Sequence, residues 1–166
     1  MTESVEVPIS RGMVALVDDQ DLELVSRYSW TAKLDHLVWY ATTHARHSDN
    51  RRYVLLMHRL ILPGVARIDH RNGNGLDNRR ENLRPCTVRQ NTRNQRPHTN
   101  SSSRFLGVCW HKRDGVWQAA IKPDGKNIHL GSFRSETDAA RAYDVAASRY
   151  YGEFARLNFP PTEPTQ

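Results

Sequence analysis

Two Asp-Gly pairs do most to constrain what this chain can fold into. Asp114-Gly115 and Asp124-Gly125 separate three β-like runs, Phe105 to His111, Val116 to Lys122 and Asn127 to Phe133. Asp-Gly between apolar alternations is the strongest short-range hairpin signal, because both residues tolerate positive φ. Ser135 then opens a helix, with Asp138 three residues on as an approximate capping box, and Gly152 follows its end. Ala139, Ala140, Tyr143, Ala146, Ala147 and Tyr150 share one helical face, whose small side chains let the helix lie close to a sheet. The pattern predicts a three-stranded antiparallel sheet crossed by one helix.

The chain has 166 residues, which allows one domain or two small ones. Lys plus Arg is 24 against 18 Asp plus Glu, a net charge of +6, and the basic balance points first to nucleic acid as partner. Mean hydropathy is −0.72, and no apolar run approaches the roughly 18–20 residues of a membrane span. Met1 to Val7 is acidic, without the apolar core of a secretory signal. Cys86 and Cys109 supply neither a disulfide framework nor a four-cysteine zinc site. A reducing cytoplasm, that of a bacterial host cell, is the expected compartment.

The first half has a different texture. Val14 to Val17 reads as a strand ending at Asp18-Asp19, and Asp21 to Arg27 as a helical turn or short helix. Trp30 to Ala32 and Val38 to Ala41 read as paired strands around Asp35-His36. Tyr53 to Met57 is another strand, which His58 to Leu62 either continues or exchanges for a helix. From Val65 to Arg96 eight arginines face Asp69, Asp77 and Glu81, and asparagine is dense. Thr87 suits the N-cap of a helix running toward Arg96, which Pro97 stops.

Within this stretch Asp69-His70 ends an apolar strand, a polar loop follows, and Asn82-Leu83-Arg84 leads to a helix bearing Asn91. Phosphodiester hydrolysis needs a base to activate water, a hard cation on oxygen ligands, and a group that holds the base in the right tautomer. His70 suits the base, Asp69 and the Asn91 amide oxygen the cation, and Asn82 the imidazole. The segment Asp-His-x-Asn-Gly-Asn, Asp-Asn-Arg, Asn-Leu-Arg and the closing Gln-Asn resembles HNH nucleases, in particular phage and bacterial HNH homing endonucleases. The resemblance implies a ββα-metal fold with one Mg²⁺ or Mn²⁺ per active site. It implies Asp69 and Asn91 as metal ligands and His70 and Asn82 as catalytic residues. Asn stands at the third family position, and Asn94 competes with Asn91 as second ligand. His58 reads as a core or hairpin histidine in preference to a helper near the metal. Arg84 and Arg89 join the expected DNA contacts.

Alternation on the second-half strands turns Val108, Trp117, Ala119, Ile121, Ile128 and Leu130 toward the helix. His111, Gln118, Lys122, Asn127 and His129 point the other way, with Lys112, Arg113 and Lys126 at the turns. Such a face can enter a DNA major groove. Leu106-Gly107-Val108, Trp117 to Ile121, His129 to Phe133, Glu136 to Asp144 and Leu157-Asn158-Phe159-Pro160 resemble the Apetala2/ethylene-response-factor DNA-binding domain over residues 104–160. Cys109, His111, Ala120, Lys122, Asn127 and His129 match that family's contacting positions. Several depart from the Arg, Glu and Trp of the plant domains, so the docking mode carries over and the plant target sequence does not. The resemblance makes the Ala-rich helix and the tail scaffold, with Asn158 satisfying backbone groups.

The combined reading is α+β: an HNH nuclease domain over 1–97 with a β-rich N-terminal extension, a linker at 98–103, an Apetala2-like domain over 104–160 and a tail at 161–166. The expected function is a site-specific, divalent-metal-dependent DNA endonuclease acting on double-stranded DNA, monomeric or weakly dimeric, with no membrane partner. The alternative is a DNA-binding transcriptional regulator with an inactive HNH domain. For Arg46, Arg51 and Arg52 a solvated turn is favoured over a DNA contact.

Overall fold

The structure, a computed structural model, describes residues 3–93 and 101–160. It divides into two compact units, 1–87 and 88–166. That boundary lies ahead of the linker read at 98–103. Residues 98–100 of that linker, and the tail at 161–166, lie outside the described residues.

In the first unit β1 (Ser4–Pro8) pairs antiparallel with β2 (Val14–Asp18). β1 went unread in the sequence, where Ser4 to Pro8 shows only one short alternation of Val5 and Val7 with polar neighbours. Helix α1 (Asp19–Val25) starts directly after β2, with Asp19 and Asp21 in its first turn, where negative charge complements the helix dipole. β3 (Thr31–Asp35) and β4 (Val38–Arg46) form a hairpin with Asp35 opposite Val38, and His36 takes φ 47 in the turn. β5 (Arg52–Leu56) pairs with the far half of β4. The chain then turns into α2 (Met57–Ile61), which settles the ambiguity over His58 to Leu62 in favour of a helix. Val17, Val25, Met57 and Ile61 are fully buried in the core, worth about 1.5–3 kcal/mol each. Two short strands, β6 (Ile68–His70) and β7 (Leu83–Pro85), pair antiparallel and bracket the polar loop.

In the second unit, after α3 (Val88–Arg93), the strands β8 (Val108–His111), β9 (Val116–Ile121) and β10 (Ile128–Phe133) form an antiparallel sheet in the order β10-β9-β8. The sheet packs on α4 (Glu136–Tyr151) through Val108, Ala119 and Ile121 against Ala139, Ala140, Tyr143 and Ala147. The Ser135 hydroxyl caps α4, accepting from the Asp138 amide at 3.3 Å. Both Asp-Gly turns are longer than two-residue hairpins. Lys112 to Gly115 join the first pair, and a 3₁₀ turn at Pro123–Gly125 with Asp124 at φ 50 joins the second. A bulge at Leu130 separates the pairs His129–Ala120 and Gly131–Ala119, which shifts the alternation so that Phe133, as well as Ile128 and Leu130, packs against the core. The Asn158 side chain binds Leu106 twice, accepting from its N–H at 2.7 Å and donating to its carbonyl at 3.2 Å. Asp144 in turn accepts from the backbone N–H groups of Asn158 and Phe159, each at 2.8 Å. No helix among the described residues is long and apolar enough to cross a membrane.

Candidate functional site

The β6–β7 register sets Asp69 opposite Arg84 and His70 opposite Leu83, so the Asp-His pair stands at the mouth of the loop Arg71–Asn82. That loop is held by its own amides. Asn82 Oδ1 accepts from the Asn72 backbone N–H at 3.0 Å, and Asn82 Nδ2 donates to the Asp77 carbonyl at 2.7 Å. Asn72 Nδ2 donates to Asp77 at 2.8 Å, and Asn72 and Asn74 each accept from a backbone N–H two residues on. Burial pushes the Asp77 carboxyl up, but the hydrogen bonds and charge of Arg79, with the Asn72 amide, outweigh it and leave it below its ordinary value.

Earlier elements brace the loop from outside. The Leu16 N–H donates to the Leu76 carbonyl and the Asn78 N–H to the Leu16 carbonyl, both at 2.8 Å. Asp18 accepts from the Arg80 backbone N–H at 2.8 Å, and Asp21 takes a bidentate fork from the Arg80 guanidinium at 2.8 and 2.7 Å. Thus β2 and α1 fix the loop as well as the core.

His70 is buried, 5% exposed. Its Nε2 lies 3.5 Å from Asn78 Oδ1. An amide oxygen only accepts, so this contact, long at 3.5 Å, favours the tautomer with its proton on Nε2. The Asn82 amide, expected on the imidazole, is instead committed to the loop backbone, and fully buried Asn78 takes the imidazole. Burial lowers the His70 pKa, opposed by the Asn78 hydrogen bond and the charges of Asp69 and Asp77. His58 packs edge-on to His70 with ring centres 5.1 Å apart, and Tyr40 lies 5.8 and 5.9 Å from the two rings. Burial first, then the charges of His70 and Arg59, push His58 down to about 3. Both imidazoles are therefore neutral at physiological pH. Gly75 is obligatory: a Cβ there would stand 2.5 Å from the Trp39 carbonyl and 2.6 Å from the Tyr40 ring.

Asp69 Oδ2 accepts from Arg84 Nε at 2.9 Å and Nη2 at 2.7 Å, with both side chains 6% exposed. Arg84, read from sequence as a DNA contact, is thus turned inward, because a buried carboxylate demands a partner. Asn91 lies in α3 with its side chain outside the described part, and Asn94 lies outside the described residues. No group of three His, Cys, Asp or Glu side chains stands close enough to hold a metal among the described residues. The buried Asp69 carboxylate is a hard oxygen donor of the kind Mg²⁺ and Mn²⁺ take.

In the second unit Cys109 faces Gln118, Gln118 faces Ser132 and Ala120 faces His129, so these residues share the sheet surface away from α4. Cys109, Lys112, Arg113, Lys122, Lys126, Asn127 and His129 are exposed. Gln118 is half-buried, as is His111, whose Nδ1 lies 3.2 Å from Asp114. Exposed Arg89 lies 3.7 Å from Asp124.

Residues 56–93 match the HNH endonuclease family. The match runs from the end of β5 through α2, the β6–loop–β7 hairpin and α3. It therefore takes in His58, Asp69, His70, Asn78, Asn82 and Asn91 together. Elsewhere the chain is similar to plant proteins. It is 38% identical over 76 residues to APETALA2-like protein 2 of Oryza sativa subsp. indica, covering 46% of this chain and 17% of that protein. It is 39% identical over 67 residues to the AP2-like ethylene-responsive transcription factor TOE2 of Arabidopsis thaliana, 40% of this chain and 14% of that one. It is 49% identical over 59 residues to an AP2/ERF and B3 domain-containing protein of Oryza sativa subsp. japonica, 36% of this chain and 16% of the relative. The chain thus spans about a sixth of the length of these relatives.

Asp18, Asp21, Tyr40 and Asn78 were not singled out from sequence. Only Asn78 carries a sequence signal, sitting among the amides of the motif; the other three reach the site by tertiary packing.

Proposed function

We propose that this chain is a site-specific, divalent-metal-dependent DNA endonuclease, of homing type and phage or bacterial setting, that makes one nick per active site. The observation that carries this reading is the buried, neutral His70, whose Asn78 contact favours a lone pair on Nδ1, beside the Asp69 carboxylate at the mouth of an amide-pinned loop. Nδ1 accepts the proton of a water as its oxygen attacks phosphorus, and the bond to the 3′-oxygen breaks, leaving 5′-phosphate and 3′-hydroxyl ends. Asn78 holds the imidazole in the required tautomer. Asn82 acts one step back, keeping the loop closed. Asp69 and Asn91 would hold Mg²⁺ or Mn²⁺, which when bound neutralises charge developing on the phosphate and leaving oxygen. Arg84 holds the Asp69 carboxylate in position through two hydrogen bonds.

The second unit supplies duplex binding. Its polar sheet surface, with Cys109, His111, Gln118, Asn127 and His129 between Lys112, Arg113, Lys122 and Lys126, docks in a major groove, with Arg89 on phosphate. The names of the plant relatives, transcription factors among them, favour the second reading of a DNA-binding regulator whose nuclease unit is inactive.

Supercoiled-plasmid nicking in Mg²⁺, in EDTA and with His70→Ala separates the two. Mg²⁺-dependent nicking that falls at least ~100-fold in His70→Ala is expected. Equal nicking by the variant overturns the assignment of the base. Duplex binding without nicking, on DNA carrying the bound sequence, selects the regulator.

A further inference from the structure

One face of the β3–β4–β5 sheet is covered at Tyr40 and buried Thr42 and open beyond them along β4. Side chains alternate along a strand, and Ala32, Trp39, Ala41 and Leu55 pack into the core. The register leaves Lys33, Tyr40, His44, Arg46, Arg52 and Val54 on the opposite face, with Lys33 across from Tyr40, His44 from Val54 and Arg46 from Arg52. Apart from Tyr40 all of these are exposed. Tyr40 is the ring packed against His58 and His70, so the strip begins at the candidate base and runs out along β4. At about 3.3 Å per residue, Arg46 lies roughly 20 Å from Tyr40, the scale of a duplex diameter.

The charges on this face are left unneutralised. Like charges placed directly opposite on a sheet destabilise it, yet Arg46 and Arg52 are opposed. Arg46 binds the carbonyl and amide oxygens of Asn50, both neutral. Neither Lys33 nor Arg52 has a carboxylate partner among the described residues. Two acids lie near. Asp49 is committed to Arg51, and Asp35 shares the face at the far end of β3, beside His36. The three arginines that look alike in sequence therefore separate: Arg51 is neutralised in the turn, whereas Arg46 and Arg52 form an opposed pair on the strip. A cationic surface of this length fits a polyanion, and it runs out from the Tyr40 ring that packs on His70.

We propose that the exposed face of the β3–β5 sheet, through Lys33, His44, Arg46 and Arg52, is a second duplex-DNA contact surface that grips phosphates flanking the cut site. Duplex as the occupant rests on the nuclease reading above; the charge pattern does not.

The test is duplex affinity of the full chain against salt, for wild type, Arg46→Gln/Arg52→Gln and Arg51→Gln, with Mg²⁺ nicking by wild type run in parallel. The double variant should flatten the log affinity–log salt slope by about two and weaken binding roughly 10- to 100-fold near 0.1 M salt. Arg51→Gln should leave the slope unchanged, and the double variant without DNA should melt no lower than wild type, since an opposed like-charge pair is gone. A slope equal to wild type in the double variant, or an equal drop in Arg51→Gln, overturns the surface. Wild-type binding without nicking defeats the nuclease reading while the slope still decides this surface. A wild-type chain that binds no duplex defeats both.

Discussion

Replacing Arg84 by methionine tests the inward orientation of this arginine against the DNA contact read from sequence. In the structure its guanidinium gives two hydrogen bonds to one Asp69 oxygen, and both side chains are 6% exposed. Removing one partner of a buried ion pair leaves an uncompensated charge, at a cost of about 3–5 kcal/mol. For a unit of this size each kcal/mol lowers the melting point by roughly 4–8 °C, so 3 kcal/mol corresponds to about 12–24 °C. Asp69→Asn/Arg84→Met removes both charges and should recover most of the loss, giving a coupling energy of at least ~2 kcal/mol. An exposed DNA-contacting arginine would instead cost within ~0.5 kcal/mol and flatten the salt dependence of binding by about one. Hydrogen exchange at the amides of Ile68, Asp69, His70, Leu83 and Arg84 reports on this unit separately from the second. A loss under ~1 kcal/mol in Arg84→Met, with no recovery in the double variant, would refute the buried-pair account.

Three further outcomes are expected. His58 and His70 have folded pKa values below their unfolded ones, His58 down to about 3, so as pH falls below 6.5 the unfolded chain binds more protons. The stability of the first unit should be fully present above pH 6.5 and fall by up to ~1.4 kcal/mol per pH unit per histidine below it; urea denaturation from pH 4 to 7 should show this, with a shallower slope in His58→Gln. Asn158→Ala leaves the Leu106 N–H without its acceptor and should cost the second unit about 1–3 kcal/mol, read as faster exchange in β8 to β10 with the first unit unchanged. Gly75→Ala drives a methyl into the Trp39 carbonyl and Tyr40 ring, and the displaced loop should slow nicking at least ~10-fold; a wild-type rate would mean that Gly75 does not set the position of His70.

Local signals in this chain were legible where chemistry and spacing coincide within a few residues. The Ser135 cap and the alanine face of α4 are readable because each depends on residue type at a fixed offset, whereas the Asn158 brace, which joins residues 52 apart, came from the family resemblance alone. The two turns of the second sheet were legible from Asp-Gly: the first spans 112–115 as read, and the second is one residue wider at each end than the 123–126 read from sequence. The bulge at Leu130 has no signature beyond His-Leu-Gly, and it emerges from the change of alternation that keeps Phe133 as well as Leu130 against the core. Strand β1 is half solvated and carries too short an alternation to stand out.

At the candidate site the division follows the same physics. The sequence by itself determines the donor set: one carboxylate beside one imidazole, a run of amides and an excess of arginine. It also determines that the chain has two regions of different texture. Which amide meets which group was decided only by the tertiary structure, because Asn78 and Asn82 are chemically identical and differ in where the loop carries them. Burial likewise decided that Arg84 turns inward and that His58 and His70 share a cage with Tyr40. Each of these outcomes depends on desolvation and on distances between segments far apart in the chain, and neither is encoded in any local pattern of residues.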